Sequence, residues 1–494
     1  MEFVYNFPFF SILLSLGAGV ASFGLNGKNA QRLNMAVSGI VFLLNGALLV
    51  QMYYVPTQIT YLMGHFTAPW GNELCFGTLE ALMATVFALV MLLSVATGSE
   101  KVYNKGEASK INYYFLMMNL LLSSTLALIY TNDLFTAYVF VEINTLCACG
   151  FVAARNTRKA IVATIKYLIM SLLGSGLFLM SVSILYVLTG HLVMPDIKVA
   201  ITELVSYEIY TMPITIVVGL IAVSMAIKSA LFPFHNWVPN AYDRAYNLSN
   251  ALSSGLVLKS YIFLLIKIFY RVIGISAIHR LNILNILFFF GLLSMVIASL
   301  HAVKENNIKK MLSYSSIAQI GYIYVGIGLG STGGFLAAAY IILSHSLVKA
   351  MLFLSCEGLM LVSNNSKDIR DLKSSGFHNP LAGFAFALGT FSMMGFPLLT
   401  GFYGKYLLAV AGTDAPARTT IILVALAIST LLNSVYFLRV LLVIYTKGDN
   451  YQKKTFAIPK SYQINLAIFI GVNLIFAFLF TPITEQIRIG LSLL

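Results

Sequence analysis

The stretch TIVVGLIAVSMAIKSALFPFHNWVPN, Thr215–Asn240, decides how this chain is read. It opens as an apolar run of the kind that fills a bilayer, places Lys228 at the end of that run, and then breaks through Pro233, His235 and Pro239. Proline removes a backbone donor and clashes with the preceding turn. Carbonyls released in this way persist at membrane depth only against protein or water. A lysine beside such a break marks a polar site inside a membrane. The same arrangement returns in FSMMGFPLLTGFYGKYLL, Phe391–Leu408, where Gly395, Pro397 and Gly401 precede Lys405. Two interrupted helices five positions apart, each carrying a lysine, predict inverted five-helix repeats over helices 4–8 and 9–13.

The rest of the chain agrees with a membrane setting. Of 494 residues, 59% are hydrophobic and only 10% charged, with a mean hydropathy of +0.85. Soluble domains carry about 25% charged residues, so these charges are too few to coat a water-facing surface. Runs of the roughly 20 apolar residues that a bilayer core requires occur fourteen times, the first near 8–24 and the last near 461–482. The prediction is an all-α polytopic membrane protein of about fourteen transmembrane helices, with helices 7 and 12 broken. Its parts are a three-helix segment over 1–110, a first repeat over 111–275, a second over 276–446, and a final loop and helix over 447–494.

The net charge of +13 does not point to nucleic acid, because there is no dense basic run and several lysines lie inside apolar segments. Four cysteines, Cys75, Cys147, Cys149 and Cys356, form no CxxC pair, so the usual zinc and iron–sulfur spacings are missing and no metal site is expected. Neither is a cofactor. The N-terminus opens with Glu2 and lacks a basic region, so the first apolar segment is expected to stay as a helix. Lysine and arginine favour one set of loops, nineteen against five, with clusters such as Arg155, Arg158 and Lys159, or Lys447, Lys453 and Lys454. By the positive-inside rule both termini face the outer side of the cell membrane.

Seven basic residues fall within helices: Lys166, Lys228, Lys259, Lys267, Lys349, Lys405 and Arg439. Each costs roughly 2.5–3.5 kcal/mol at a helix centre on insertion scales. Lys267 and Arg439, nearer helix ends, read as snorkelling side chains. Lys228, Lys259 and Lys405 lie too deep for that. Glu142, in YVFVEINTL, is the acid deep in an early helix, and it suits an ion pair that can act as a switch. His345 and Lys349 share a helix face at i,i+4 spacing and mark a polar interior stripe.

Six ordered segments carry a resemblance to a known family. They are DLFTAYVFVEINTL (Asp133–Leu146), KSALFPFHNWVPNAY (Lys228–Tyr242), ALSSGLVLKSYIFLL (Ala251–Leu265), IKKMLSYSSIAQIGYI (Ile308–Ile323), LSHSLVKAMLFL (Leu343–Leu354) and GFPLLTGFYGKYLL (Gly395–Leu408). Over residues 110–410 the chain resembles the antiporter-like subunits shared by Mrp-type cation/proton antiporters, respiratory complex I and membrane-bound energy-converting hydrogenases. Lysine at 405 and the VFVE and SSGLVLK phrasings look most like the Mrp D subunit and its hydrogenase counterparts. The resemblance implies a proton relay of Glu142, Lys228, Lys259, His345 and Lys405, with Lys166, His235 and Lys349 in support. It also implies partners: other membrane subunits of one complex, homologous antiporter-like subunits among them, and a peripheral redox arm. Protons, and in some members Na+, are the cargo. Asn307 departs from the family, where many relatives have aspartate, and Glu357 is unusual and takes no role from the resemblance.

Physical chemistry supports such a relay independently. Burial disfavours an ammonium relative to its amine, and a nearby carboxylate favours it again. Moving Glu142 toward or away from Lys228 therefore switches whether that lysine holds its proton. An imidazole, titrating near neutrality, suits the middle of the row. Alternatives differ in class: a proton-pumping subunit of a complex I-type NADH:quinone oxidoreductase, a stand-alone cation/proton antiporter, a redox subunit or a passive scaffold. A redox subunit needs haem or cluster ligands, and a scaffold needs no buried lysines.

Overall fold

The computed structural model describes residues 2–67, 70–105, 110–206, 210–447 and 456–494. Lys453 and Lys454, two of the basic loop residues used above for orientation, lie outside the described residues.

Among the described residues, eleven helices are long and apolar enough to cross a membrane. In chain order these are α1 (Phe7–Phe23), α2 (Gly27–Tyr54), α3 (Thr78–Lys105), α4 (Ile111–Tyr130), α5 (Leu134–Ala153), α6 (Arg158–Thr189) and α7 (Thr211–Lys228), followed by α9 (Ile283–Lys304), α11 (Thr332–Leu361), α13 (Pro416–Tyr445) and α14 (Lys460–Phe478). Three further segments bring the number to the fourteen expected. α8 runs over Asn247–Leu252 and Leu258–Ile268, with π-turns at Ser253–Val257 and Phe269–Ile273. α10 (Ile308–Leu329) begins with two lysines, and α12 is split into α12a (Pro380–Met394) and α12b (Thr400–Thr413).

Both anticipated breaks are present. α7 ends at Lys228 and the chain re-forms a short helix, α7b, over Trp237–Arg244. Left-handed backbone occurs at non-glycine residues in both gaps, Ala230 (φ 60°) and Leu398 (φ 68°). Such conformations cost of order 1–3 kcal/mol and persist only where the surroundings over-determine them. The return of α12b is close: a Cβ on Gly401 would lie 2.0 Å from the Ser392 carbonyl oxygen, so only glycine fits.

The membrane-spanning window of α11 is buried throughout and that of α3 is mostly buried, whereas α1, α2, α6, α13 and α14 keep much of theirs exposed. α11 thus forms the axis, packed against α8, α10, α12 and α14. Small polar residues line the inner contacts. Serines at 254, 313, 315, 316, 346 and 355 are buried, as expected where helix association in lipid relies on close packing and interhelical hydrogen bonds.

Elements beyond the apolar-run criterion are present as well. An amphipathic helix, Met194–Ser206, follows α6, and a two-stranded antiparallel hairpin, Ile59–Leu62 with Glu73–Phe76, lies between α2 and α3.

Candidate functional site: a buried row of lysines on released carbonyls

Lys228, Lys259, Lys349 and His345 are all buried, at 1%, 0%, 0% and 3% exposure, and Lys405 is half-buried. The ammonium groups of the four lysines share one kind of partner, neutral oxygens: hydroxyls and backbone carbonyls, of which that of Ser254 lies in a π-turn and that of Met394 at a helix end.

At the first break, Lys228 Nζ donates to Thr145 Oγ1 (2.7 Å) on α5 and to Ser171 Oγ (3.1 Å) on α6. Gly174 makes room for the lysine stem, since a Cβ there would come within 3.2 Å of Lys228 Cγ. Thr145 Oγ1 lies 3.3 Å from the Tyr261 hydroxyl of α8, which donates to Asn144 Oδ1 at 3.1 Å. Lys228 also lies over the Tyr261 ring, 5.7 Å from its centroid. Tyr261 stands two residues from Lys259 on the same helix, and no hydrogen bond joins this network to that lysine among the described residues.

The π-turn of α8 holds the centre. Lys259 Nζ donates to the Ser254 carbonyl inside that turn. Ser254 Oγ lies 2.9 Å from Ser316 Oγ on α10, and Ser316 donates to the Leu312 carbonyl at 3.0 Å. The same carbonyl accepts from Lys349 Nζ at 3.0 Å. Lys259 and Lys349 are therefore linked through Ser254, whose carbonyl takes Lys259 and whose hydroxyl meets Ser316, and through the Leu312 carbonyl.

One turn earlier on α11, neither ring nitrogen of His345 has a hydrogen-bond partner among the described residues. The imidazole lines a cavity of about 10 Å³ with Gln319, Ser344, Ser392 and Gly401, roughly the size of one water. That cavity reaches the second break. There Lys405 Nζ donates to the Met394 carbonyl at the end of α12a (2.9 Å) and to Thr430 Oγ1 of α13 (3.0 Å), and it lies 5.7 Å from the Tyr322 ring centroid.

Several expectations change. Glu142 is half-buried, and no ion pair joins it to Lys228 among the described residues. Thr145, one turn further along α5, takes the lysine instead. One carboxylate oxygen of Glu142 is buried without a hydrogen-bond partner. Lys166 is exposed and does not join the row; it faces a surface cavity with Arg158, Lys159 and Arg244. His235 is buried, with its ring 6.1 Å from that of His301 on α9 and Tyr314 beside both. It stands off the row.

Lys267 is not a snorkelling side chain. It is fully buried and donates to the Ile129 and Thr131 carbonyls at the end of α4, both at 2.7 Å. Arg439 likewise binds the carbonyls of Val303 and Glu305 at the end of α9. Arg271, in the last π-turn of α8, forms a buried ion pair with Glu80 at 2.6 Å. Glu80 begins α3, and its depth could not be read from sequence because its position resembles a helix cap. Asn307 caps α10 and donates to Asp243 Oδ1 at 2.8 Å. An aspartate there would face that carboxylate, which Lys367 also holds. Glu357 lines a cavity of about 60 Å³ with Arg155, Asn247, Lys309 and Lys367.

Comparison with known proteins accounts for this architecture. A family described as "NADH:quinone oxidoreductase/Mrp antiporter, TM" matches residues 131–433, which includes every residue of the row. The chain belongs to this family. Among its relatives, the N subunit of the NADH-quinone oxidoreductase of Desulforudis audaxviator is 30% identical over 78% of this chain and 75% of its own length. The D subunit of the Na(+)/H(+) antiporter of Bacillus subtilis is 24% identical over 95% of this chain and 93% of its own length. In fold, the chain is similar to one in the archaeal membrane-bound sulfane sulfur reductase (TM-score 0.87, 23% identity, 100% of this chain and 97% of that one). It is also similar to one in the Mrp complex from Dietzia sp. DQ12-45-1b (TM-score 0.86, 22% identity, again 100% and 97%). The expected antiporter-like membrane protein is what the fold and the relatives describe.

Proposed function

We propose that this chain moves protons through the membrane as one subunit of a multi-subunit ion-pumping complex, with Glu142, Lys228, Lys259, His345 and Lys405 as the relay. The observation that carries the reading is a pair of buried polar clusters at mid-chain: Lys228 with Thr145 and Tyr261, and Lys259 with Ser254, Ser316, the Leu312 carbonyl and Lys349. Buried lysines held only by neutral oxygens, as Lys228, Lys259 and Lys349 are, cost much in lipid and mark function by default. Lys349 joins the relay between Lys259 and His345. Lys166 and His235 stand outside it.

Glu142 supplies the switch from the edge. Its half-buried carboxylate is one turn from the hydroxyl that holds Lys228, so a neighbouring protein that shifts its charge changes the balance between ammonium and amine at Lys228. Homologous antiporter-like subunits and a peripheral redox arm, or Na+/H+ exchange partners, are the corresponding neighbours. The host is most like an Mrp-type complex, because the Bacillus subtilis antiporter relative aligns over nearly the whole chain. A complex I-type host is the second reading, favoured by the 30% identity to an NADH-quinone oxidoreductase relative. The halves 111–275 and 276–446 act as paired half-channels in the cell membrane, with both termini on the outer side.

The test is proton uptake by vesicles holding the whole complex. Lys259→Met keeps the volume but removes the titrating group, and uptake should fall by about a hundredfold, within the range that a positioned proton-transfer group contributes. Wild-type uptake would remove Lys259 from the relay.

A further inference from the structure

One basic cavity is left over once the relay is accounted for. It measures about 400 Å³ and lies between the start of α6 and α7b, lined by Arg158, Lys159, Val162, Lys166, Asn240 and Arg244. With Ala163 the lining comes to seven residues, four of them cations and none acidic. Arg244 is paired with Asp243 at 3.0 Å, but Asp243 is buried and shared with Lys367. The other three cations, Arg158, Lys159 and Lys166, converge without a carboxylate partner among the described residues, so the cavity favours an anion.

The surface below the cavity identifies the kind of anion. Along the same helix, Val162, Ile165, Ile169, Leu172 and Leu173 are about half exposed, at 48, 51, 55, 49 and 57%. From residue 162 to residue 173 an α-helix rises roughly 16 Å, close to half of the ~30 Å hydrocarbon core. A cationic cavity thus stands at the head of an apolar stripe one leaflet deep. Behind it, the Tyr167 and Trp237 rings stack at 4.0 Å and make a rigid wall between α6 and the segment after the first break.

We infer that this cavity binds the phosphate headgroup of an anionic phospholipid whose acyl chains lie along α6. A free phosphate would use the cations alone; the adjoining stripe adds a surface that only a lipid satisfies. Basic pockets at the lysine-rich membrane face are the usual place for such headgroups. Because Arg244 lies on α7b and Lys166 on α6, the headgroup ties the two helices together next to the broken segment that carries Lys228. The inference is independent of the relay assignment.

The experiment uses the whole complex in nanodiscs containing a photoactivatable phosphatidylglycerol, with a photoactivatable phosphatidylcholine as the paired probe. Phosphatidylglycerol should label the 158–173 segment, and Arg158→Gln with Lys159→Gln should cut that labelling about tenfold or more, given roughly 1 kcal/mol per basic residue near the surface. The charge-keeping pair Arg158→Lys with Lys159→Arg should restore it, which separates binding from misfolding. Equal labelling by phosphatidylcholine would overturn the inference. So would loss of labelling on adding inorganic phosphate alone, which would make the site one for a free anion. Cross-linking of the cavity to an acidic segment of a neighbouring protein in the complex would overturn it as well.

Discussion

At the scale of single residues, the sharpest contrast lies between Glu142 and Lys228. Each should be needed for transport, but in different ways. Lys228→Ala removes the titrating group and leaves Thr145 and Ser171 to one another, so proton uptake by the assembled complex should be abolished while assembly is retained. Glu142→Ala should have the same effect on uptake although it touches no member of the row directly, because its role is electrostatic. Uptake at wild-type rates in both variants would sink the assignment. At the far end, Lys405→Glu keeps a titrating group and should retain more uptake than Lys405→Leu. Equal loss in both would mean that the positive charge is needed only to hold the Met394 carbonyl and Thr430. Lys228, Lys259 and Lys405 were legible in the sequence because a lysine deep in an apolar run, or beside a break in one, is costly in lipid. Lys166 was misread for the same reason: α6 is apolar nearly all round, so no periodicity shows which face is outside. Glu80 and Arg271 were missed because each stands at the end of a run, where charge is ordinary, and 191 positions separate them.

At the scale of elements, each of the fourteen apolar runs holds helix in the structure, eleven of them long and apolar enough to span alone among the described residues, and both breaks were readable from proline and glycine. The π-turn over Ser253–Val257 was not, since nothing in SSGLV distinguishes a π-turn from an α-turn. Yet that turn frees the Ser254 carbonyl for Lys259. It follows that the two serines joining α8 to α10 matter more than their size suggests. Ser316→Ala, with Ser254 left in place, removes the bridge to the Leu312 carbonyl and should slow proton uptake by about tenfold or more, within the range of a displaced transfer group, with little change in Tm. Gly401→Ala should do the reverse. A Cβ 2.0 Å from the Ser392 oxygen forces α12b away from α12a, and overpacking of this kind destabilises by about 1–3 kcal/mol. The Tm of the purified complex should drop, and Lys405 should lose its Met394 contact. An unchanged Tm would show that the break is more compliant than its geometry implies.

At the scale of the whole molecule, the described residues contain no group of three or more His, Cys, Asp or Glu side chains placed to hold a metal ion, and the proposed relay consists of proton-exchanging side chains alone. A row of proton-exchanging groups equilibrates protons between two sides, but it cannot set a direction. Direction requires that an energy-releasing event elsewhere change the relative stability of the proton at successive positions, since a bias can only come from differential interaction with the two states. Glu142, half-buried on α5 with one carboxylate oxygen lacking a partner, is where such an event can be felt from outside the chain. Sodium, if transported, calls for oxygen ligands of a hard-cation site, and the interior of this chain offers lysines instead. The purified chain alone in liposomes should therefore relax an imposed pH gradient only slowly, with no dependence on Na+, whereas the full complex in the same liposomes should build or exchange a gradient when energised. Glu142→Gln should separate the two, leaving the slow leak of the isolated chain unchanged while abolishing energised transport by the complex. Rapid Na+-dependent proton exchange by the single chain would make it a self-sufficient antiporter and end the argument that it works as a driven module.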